Sequence, residues 1–453
     1  MLSVTPEPAA EQLLRKGRDA LAKARIPAAF YNHPDVWEVE RERVFGRAWT
    51  FLAHDSEIPN PGDYVVRPLA GTPVIVARGA DNVIRAMFNI CPHRGNQLCR
   101  DEAGNSSRFK CSYHGWIYNN KGELVSVPQM REGYRGLLNR DDWPLREAKV
   151  DSYRGLIFGA LDPVIPTLSE YLAGFQFYMD IYLTPDMEVY GPPNRWIIDV
   201  DWKVQSENTA GDGYHTPITH EFGFSLGYYP SSAATQSQGW AVHIPGRGHS
   251  IGMGRTPGMA PFFWYPPEIV AAMEKDFTPE QYSIFKEARV SVGLVFPNLS
   301  LLCQPLSRIP NEPGTRFSTL RLFNPLKNGR IETWTWCLVP KSASKEYRDE
   351  VYEGHVLGFG PSGLFEQDDS ENFIHVTRMA GTPAAEDMEF PLEMGLNAEI
   401  EEDFPGPGVC VTPYINDTSF RNFWATYMNY LSNDPPTAES SHDTSLPEVL
   451  RVS

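Results

Sequence analysis

The sequence has no apolar run of membrane-spanning length, little cysteine and fewer basic than acidic residues. No stretch approaches the ~18 uninterrupted apolar residues that a membrane helix needs, and Glu7 and Glu11 stand where a secretion signal would be apolar. We therefore expect no membrane association and a cytoplasmic location. The 40 basic residues are outnumbered by 57 acidic ones, which argues against a nucleic-acid partner.

Cysteine is too scarce and too irregularly spaced to form a disulfide scaffold in a chain of 453 residues. A reducing compartment is the consistent interpretation. Four of the six cysteines lie in no metal-binding pattern and are expected to be buried thiols. These four are Cys99, Cys303, Cys337 and Cys410.

The sequence pattern changes twice along the chain and predicts an α+β protein with an inserted domain. Residues 1–36 contain a helical pattern over 8–24. Residues 37–157 contain short β-type runs joined by turns, which predict a small antiparallel all-β domain. Residues 158–453 mix both types, which predicts a larger domain with an antiparallel sheet flanked by helices.

Local signals support this division. Residues 73–77 and 83–88 alternate like strands on either side of a turn-rich segment in the predicted β domain. In the larger domain, Asn328-Gly329 between 317–323 and 331–336 is a strong hairpin signal. Helices are predicted over 342–357 and 362–378, and 433–442 has the composition of a disordered tail.

Two loops each pair one cysteine with one histidine. They are Cys91-Pro-His93-Arg-Gly and, seventeen residues after His93, Cys111-Ser-Tyr-His114-Gly-Trp. A structural zinc site usually draws on a Cys pair and a His pair, whereas a Rieske [2Fe–2S] cluster places two Cys on one iron and two His on the other. The mixed loops favour a Rieske cluster, with zinc as the alternative.

A second group of potential ligands begins at Asn208. In a helix Asn208, Asp212 and His215 would share one face, and Pro217 would end that helix and let His220 return through a turn. Two histidines and one carboxylate form the facial triad of non-haem Fe(II) oxygenases, which leaves positions open for oxygen and substrate. Without a third ligand, ordinary surface or core histidines are the alternative.

The third ligand would come from a run of four acids within residues 363–372, and spacing does not select among them. A solvated acidic helix face is the alternative interpretation. The four acids are Glu366, Asp368, Asp369 and Glu371.

The motifs at 91–116, 202–220 and 359–372 resemble those of Rieske non-haem iron aromatic-ring-hydroxylating dioxygenase large subunits, including the naphthalene and biphenyl dioxygenases, and the resemblance covers about residues 28 to 430. It implies that residues 37–157 are a Rieske domain and that residues 158–453, with 1–36 as an N-terminal arm, form the catalytic domain. It also implies one [2Fe–2S] cluster and one mononuclear Fe(II). Asp212 would link the iron site of one subunit to the cluster of a neighbouring subunit, through His114 of that neighbour. The implied ligands are Cys91, His93, Cys111 and His114 for the cluster, and His215, His220 and Asp369 for the iron.

The resemblance further implies the activity. The chain would be a terminal oxygenase that dihydroxylates an aromatic ring with O2 to a cis-dihydrodiol, using electrons from NAD(P)H through a reductase and a ferredoxin. A small β subunit would complete an α3β3 assembly, with α3 as the alternative. The expected substrate is an aromatic or polycyclic aromatic hydrocarbon. The alternatives are an aromatic carboxylate, and monooxygenase or demethylase activity.

Motif positions in the family place four side chains in the substrate pocket. Thr209 is smaller than the residue often found there, which implies a roomier cavity. A carboxylated substrate would need a cation in the pocket, for which Arg247, Arg255 and Arg308 are the candidates. The four expected pocket residues are Asn208, Thr209, Phe359 and Phe365.

Overall fold

The computed structural model describes residues 9–184, 186–229 and 238–432, so the polar segment 433–442 lies outside the described residues. The chain divides into a larger unit, Met1–Val44 with Ser169–Ser453, and an inserted unit, Phe45–Leu168. Insertion of a β unit into an α+β unit agrees with the predicted fold class. Within the described ranges, no helix is long and apolar enough to cross a membrane.

The division between the units differs from the predicted boundaries at 36/37 and 157/158. The helix that follows residue 33 belongs to the larger unit, because the carboxylate of Glu40 in it accepts hydrogen bonds from Trp202 and Lys203. The strand that contains residue 157 continues to Ala160 and pairs with two strands of the inserted unit. The predicted second boundary therefore cuts through a strand.

The larger unit begins with an amphipathic helix whose leucines are buried, as predicted for residues 8–24. A short strand and a second helix follow. The elements before the insertion are α1 (Ala9–Leu21), β1 (Arg25–Pro27) and α2 (Pro34–Arg43).

The inserted unit is built from antiparallel strands, as the sequence predicts. Seven strands form one sheet in the order β2-β11-β10-β5-β4-β3-β6, and three form a second sheet in the order β7-β8-β9. The strands are β2 (Thr50–His54), β3 (Asp63–Leu69), β4 (Thr72–Arg78), β5 (Ile84–Phe88), β6 (Ala103–Asn105), β7 (Arg108–Lys110), β8 (Ile117–Asn119), β9 (Leu124–Ser126), β10 (Glu147–Tyr153) and β11 (Leu156–Ala160).

The chain then adds helices and further strands to the larger unit. The elements up to the central sheet are α3 (Leu168–Leu172), α4 (Gln176–Tyr182), β12 (Met187–Val189), β13 (Asn194–Ile198), α5 (Trp202–Thr209), α6 (Thr216–Thr219), α7 (Glu221–Ser225), β14 (Gly239–His243), β15 (Ser250–Gly254), α8 (Pro267–Met273) and α9 (Pro279–Glu287). The remaining elements are β16 (Val290–Val295), β17 (Leu299–Leu306), β18 (Thr315–Lys327), β19 (Arg330–Pro340), α10 (Lys345–Phe359), α11 (Leu364–Ala380), β20 (Glu389–Pro391), β21 (Glu399–Ile400), β22 (Val409–Thr412) and α12 (Thr418–Leu431).

The central sheet of the larger unit is antiparallel, with the path β12-β19-β18-β17-β16-β15-β14-β22-β21 and with β13 also paired to β19. The predicted hairpin is β18–β19, turning at Asn328-Gly329, and the two predicted helices are α10 and α11. In the register, Val292 pairs with Leu302, and Leu302 pairs with Thr319. This row of side chains lies on the sheet face that carries the pocket described below.

A single helix that would carry Asn208, Asp212 and His215 on one face does not form. Helix α5 ends at Thr209, and Gly211 follows with φ +145°, a conformation that favours glycine. Pro217 lies in the first turn of the short helix α6, where its missing N–H costs no hydrogen bond. A bend at 210–215 therefore separates Asn208 from His215 along the chain.

Candidate metal centres

The two Cys-x-His loops of the inserted unit have matching backbones. The N–H of Gly95 donates to the carbonyl of Cys91 at 2.9 Å, and the N–H of Gly115 donates to the carbonyl of Cys111 at 3.0 Å. Both glycines have φ +72°, which a side chain would strain. Each motif therefore forms the same tight turn, and each turn presents one sulfur and one imidazole.

The sulfurs and imidazoles of these loops differ in environment. Cys91 and Cys111 are buried in the core of the inserted unit, whereas His93 is half-buried and His114 is exposed. The two imidazole rings lie 4.5 Å apart between centroids, and His93 also stacks on Trp116 at 4.7 Å. The Nδ1 atom of His93 is buried and has no hydrogen-bond partner in the part of the chain that the structure describes. Two sulfurs inside and two imidazoles outside fit a cluster of two irons, one for each ligand type.

The electrostatics of the two thiols also differ. Burial raises the pKa of Cys91. Burial acts on Cys111 in the same direction, but the backbone N–H of Tyr113 and the amide of Asn96 outweigh it and lower the pKa of that thiol. Donors directed at a sulfur stabilise a thiolate, which is the form that binds metal.

In the larger unit, one group of ligand atoms converges closely. Among the described residues, one set of three potential metal ligands has ligand atoms that all lie within 4.8 Å of one another. The set consists of His215, His220 and Asp369. Asp369 Oδ1 is 3.5 Å from His215 Nε2 and 3.3 Å from His220 Nε2. Two atoms each about 2.1 Å from one ion, at an angle between 90° and the tetrahedral angle, would be separated by roughly 3 to 3.5 Å. The spacing fits a single metal ion.

The carboxylate of this triad is buried and faces two imidazoles. Asp369 is 3% exposed, and its Oδ1 has no hydrogen-bond partner within the described structure. Burial works against its charge, but the two histidines outweigh burial and lower the pKa of Asp369. An unpaired buried oxygen that faces two imidazoles is accounted for if a cation is bound there.

Asp212 lies behind His215. Its Oδ2 is 3.2 Å from His215 Nδ1, and its Oδ1 accepts the backbone N–H of His215 at 3.2 Å. Asn208 Nδ2 is also 3.2 Å from that Nδ1. Burial disfavours a charged imidazole, but Asp212 and then Asp369 outweigh it and raise the pKa of His215 to about 9. The ring is held so that its Nε2 faces Asp369.

The triad opens into a pocket of about 610 Å³, measured with its solvent-filled mouth. All four predicted pocket residues line it, as do Val292 and Leu302 from the central sheet. The full lining is Asn208, Thr209, Asp212, His215, Thr216, His220, Phe224, Tyr229, Val292, Leu302, Gln304, Arg321, Phe359, Phe365, Asp369 and Tyr414.

The three arginines proposed from the sequence do not line this pocket. Arg255 pairs with Glu287, and Arg308 pairs with glutamates of α10. The cation that does line the pocket is Arg321, which is 2% exposed and pairs with the equally buried Glu366. Sequence reasoning missed it because β18 alternates like an ordinary half-buried strand, and the face that carries Arg321 becomes evident only from the packing of α11.

Comparison with known proteins identifies the family. The family model for the Rieske [2Fe-2S] domain matches residues 48–153. The N,N-dimethyl phenylurea N-demethylase subunit alpha of Sphingobium sp. (strain YBL2) is 33% identical over 436 residues, covering 94% of this chain and 95% of that protein. The chain belongs to the Rieske non-haem iron ring-hydroxylating oxygenases.

Other relatives agree with a large-subunit role in this family. The large oxygenase component of a Ralstonia sp. naphthalene 1,2-dioxygenase system is 31% identical over 418 residues, covering 88% of this chain and 90% of that protein. A crystal structure of Rhodococcus sp. naphthalene 1,2-dioxygenase bound to indole matches with a TM-score of 0.90 and 41% identity, covering 94% of this chain and 98% of that one. This Rieske oxygenase chain uses O2 and has two cofactors, a [2Fe–2S] cluster and a mononuclear iron.

Proposed function

We propose that this Rieske oxygenase chain is a terminal oxygenase that adds both atoms of O2 to an aromatic ring, giving a cis-dihydrodiol. The electrons come from NAD(P)H through a reductase and a ferredoxin. The observation that carries the proposal is the triad of His215, His220 and Asp369, which opens into a pocket with aromatic walls. The expected substrate is an aromatic or polycyclic aromatic hydrocarbon.

Each metal has its own set of residues in this proposal. Cys91, His93, Cys111 and His114 hold the cluster, and His215, His220 and Asp369 hold the iron. When bound, the cluster supplies single electrons and the iron supplies oxygen activation. The protein orients the ligands around them.

The pocket residues hold the ring and exclude water. Phe359 and Phe365 lie 5.8 Å apart between ring centroids and offer two apolar faces to a flat substrate. The Thr209 hydroxyl donates to the carbonyl of Gln205 at 3.1 Å, so the side chain that faces the cavity is small and its polar atom is already paired. The two phenyl rings and the small Thr209 side chain together leave apolar surface against which a flat aromatic ring can pack.

The link between the two metal centres involves Asp212 and a second subunit. The side chain of Asp212 remains 25% exposed although it contacts His215. Its carboxylate has acceptor capacity for an imidazole N–H of His114 from a neighbouring chain. In this proposal the chain forms an α3β3 assembly with a small β subunit, or an α3 assembly without one.

N-demethylation is the second candidate function. It is favoured by the 33% identity to the phenylurea N-demethylase subunit across almost the whole chain. An aromatic carboxylate is a weaker substrate candidate, because the carboxylate of Glu366 already neutralises Arg321.

The test is turnover by the metal-loaded enzyme with NADH, a reductase and a ferredoxin under ¹⁸O2. Naphthalene, biphenyl, phthalate and N,N-dimethyl phenylurea serve as substrates. We expect a cis-dihydrodiol with two labelled oxygen atoms from naphthalene or biphenyl. If the phenylurea yields formaldehyde and neither hydrocarbon yields a diol, the function is N-demethylation and not dihydroxylation. Absence of product from all four would contradict the proposal.

A further inference from the structure

Two polar side chains meet on one wall of the pocket. The Tyr229 hydroxyl donates a hydrogen bond to the side-chain carbonyl of Gln304. Gln304 is two residues beyond Leu302 on β17, so both side chains face the pocket. Among the described lining residues, this is the hydrogen-bonded side-chain pair that includes none of the proposed iron ligands and no charged group.

The pair lies one phenyl ring away from the proposed iron ligands. The ring of Phe365 is 4.9 Å from that of His220 and 5.6 Å from that of Tyr229, between centroids. A substrate ring that packs along Phe365 beside the triad would bring a substituent on its far side toward Tyr229 and Gln304.

Gln304 has hydrogen-bonding capacity that the protein leaves unused. Its amide has one acceptor oxygen and two N–H donors. Tyr229 occupies the oxygen, and no group in the described part of the chain accepts from the Nε2 donors. Gln304 is half-buried and lines the pocket, so its amide lies at the edge of the space where substrate would bind. A plain hydrocarbon would cover them without offering an acceptor.

The charges of the pocket favour a neutral acceptor. Arg321 is the one lysine or arginine among the described lining residues, and its guanidinium pairs with Glu366. In the β17–β18 register, Arg321 lies opposite Ser300. Ser300 and Gln304 lie two residues from Leu302 in opposite directions along β17. An anionic substituent near Gln304 would therefore find no unpaired lysine or arginine among the described lining residues.

We propose that Gln304 and Tyr229 form a hydrogen-bonding subsite for a neutral acceptor group of the substrate. In place of a plain hydrocarbon, the subsite favours an aromatic substrate with a ketone or amide carbonyl about one ring width from the carbon nearest the triad. Gln304 Nε2 donates to that oxygen, and Tyr229 fixes the orientation of the amide. This inference rests on the proposed function in that it places the substrate in the same pocket.

The test compares three ligands that share one skeleton. Tetralin, 2-tetralone and tetralin-2-carboxylate are titrated into the metal-loaded, oxidised enzyme by calorimetry. We expect 2-tetralone to bind roughly tenfold more tightly than tetralin, the effect of one hydrogen bond in a dry site. We expect the carboxylate to bind no more tightly than tetralin.

Variants identify the residue responsible. Gln304→Met should bring the two neutral ligands within about twofold of each other, and Tyr229→Phe should reduce the preference part-way. Leu302→Met, on the same strand, is the matched control and should change both affinities by the same factor. Equal affinities in the wild type, or a preference that persists in Gln304→Met, would overturn the subsite.

Turnover of the same compounds separates this inference from the proposed function. If the ketone preference depends on Gln304 but no ring is oxygenated, the subsite is supported and dihydroxylation is not. If diols form but the preference does not depend on Gln304, the subsite is refuted and the proposed function stands.

Discussion

Replacing Lys203 by Met should destabilise the larger unit, because the Lys203 ammonium is the shared counter-ion of two buried acids. Its Nζ lies 2.6 Å from Glu40 and 2.7 Å from Asp201, and its side chain is 1% exposed. Burial disfavours the charge of Lys203, but Asp201 and Glu40 outweigh it and raise the pKa of that amine. Met keeps most of the volume and removes the charge.

The expected loss is about 3 kcal/mol in the free energy of unfolding. Breaking a buried ion pair by removing one partner costs about 3–5 kcal/mol. The lower end applies because Trp202 and Tyr427 still donate to Glu40. Lys203 lies on α5, whose last turn carries Asn208 and Thr209, so the pocket should loosen as well.

The assay is urea denaturation of wild type and variants, followed by circular dichroism. The double variant Lys203→Met with Glu40→Met removes one of the stranded acids and should recover part of the loss. A loss below about 1 kcal/mol in Lys203→Met, or simple additivity in the double variant, would refute this reasoning.

Two further predictions concern buried histidine and electron delivery. His249 donates from Nε2 to Tyr171 and accepts the N–H of Phe296 at Nδ1, and burial lowers its pKa to about 3. Since the unfolded value is near 6.5, His249 contributes stability that is present above pH 6.5 and lost as the pH falls from there toward 3. Between pH 6.5 and 5.5, the free energy of unfolding of His249→Gln should therefore fall by about 1 kcal/mol less than that of wild type, as measured by urea denaturation. An equal fall in both proteins would contradict this. Asp212→Asn keeps an oxygen for the His215 imidazole but loses the charge, so both metals should stay bound while single-turnover oxidation of the cluster slows; a wild-type rate would refute the bridge.

Much of the site could be predicted from sequence because its chemistry is local. Each Cys-x-His loop contains its own ligands and its own glycine turn, so Cys91 and Cys111 indicate a cluster without knowledge of the fold. Asn328-Gly329 likewise specifies its own hairpin. Asp369 was different, because spacing left four acids open and only the resemblance to the family selected one.

The parts that could not be predicted depend on tertiary packing. A helical pattern extends beyond Thr209, but the backbone turns at Gly211, and the convergence of Asn208 with His215 arises from that bend. Gln304 and Arg321 lie on strands whose residue pattern does not show which face carries the pocket. The candidates Arg247, Arg255 and Arg308 follow from their position in predicted loops, and a loop sequence does not show in which direction a side chain points.

The central claim is that Asp369 is a ligand of the mononuclear iron. The measurement is the iron content of purified enzyme together with the visible absorption of its cluster, for Asp369→Asn and for Glu371→Gln as the matched acid on the same helix. We expect Asp369→Asn to lose the mononuclear iron and to keep the two irons of the cluster, with unchanged cluster absorption. We expect Glu371→Gln to keep all of its iron. Full iron content in Asp369→Asn, or equal loss in both variants, would contradict the account.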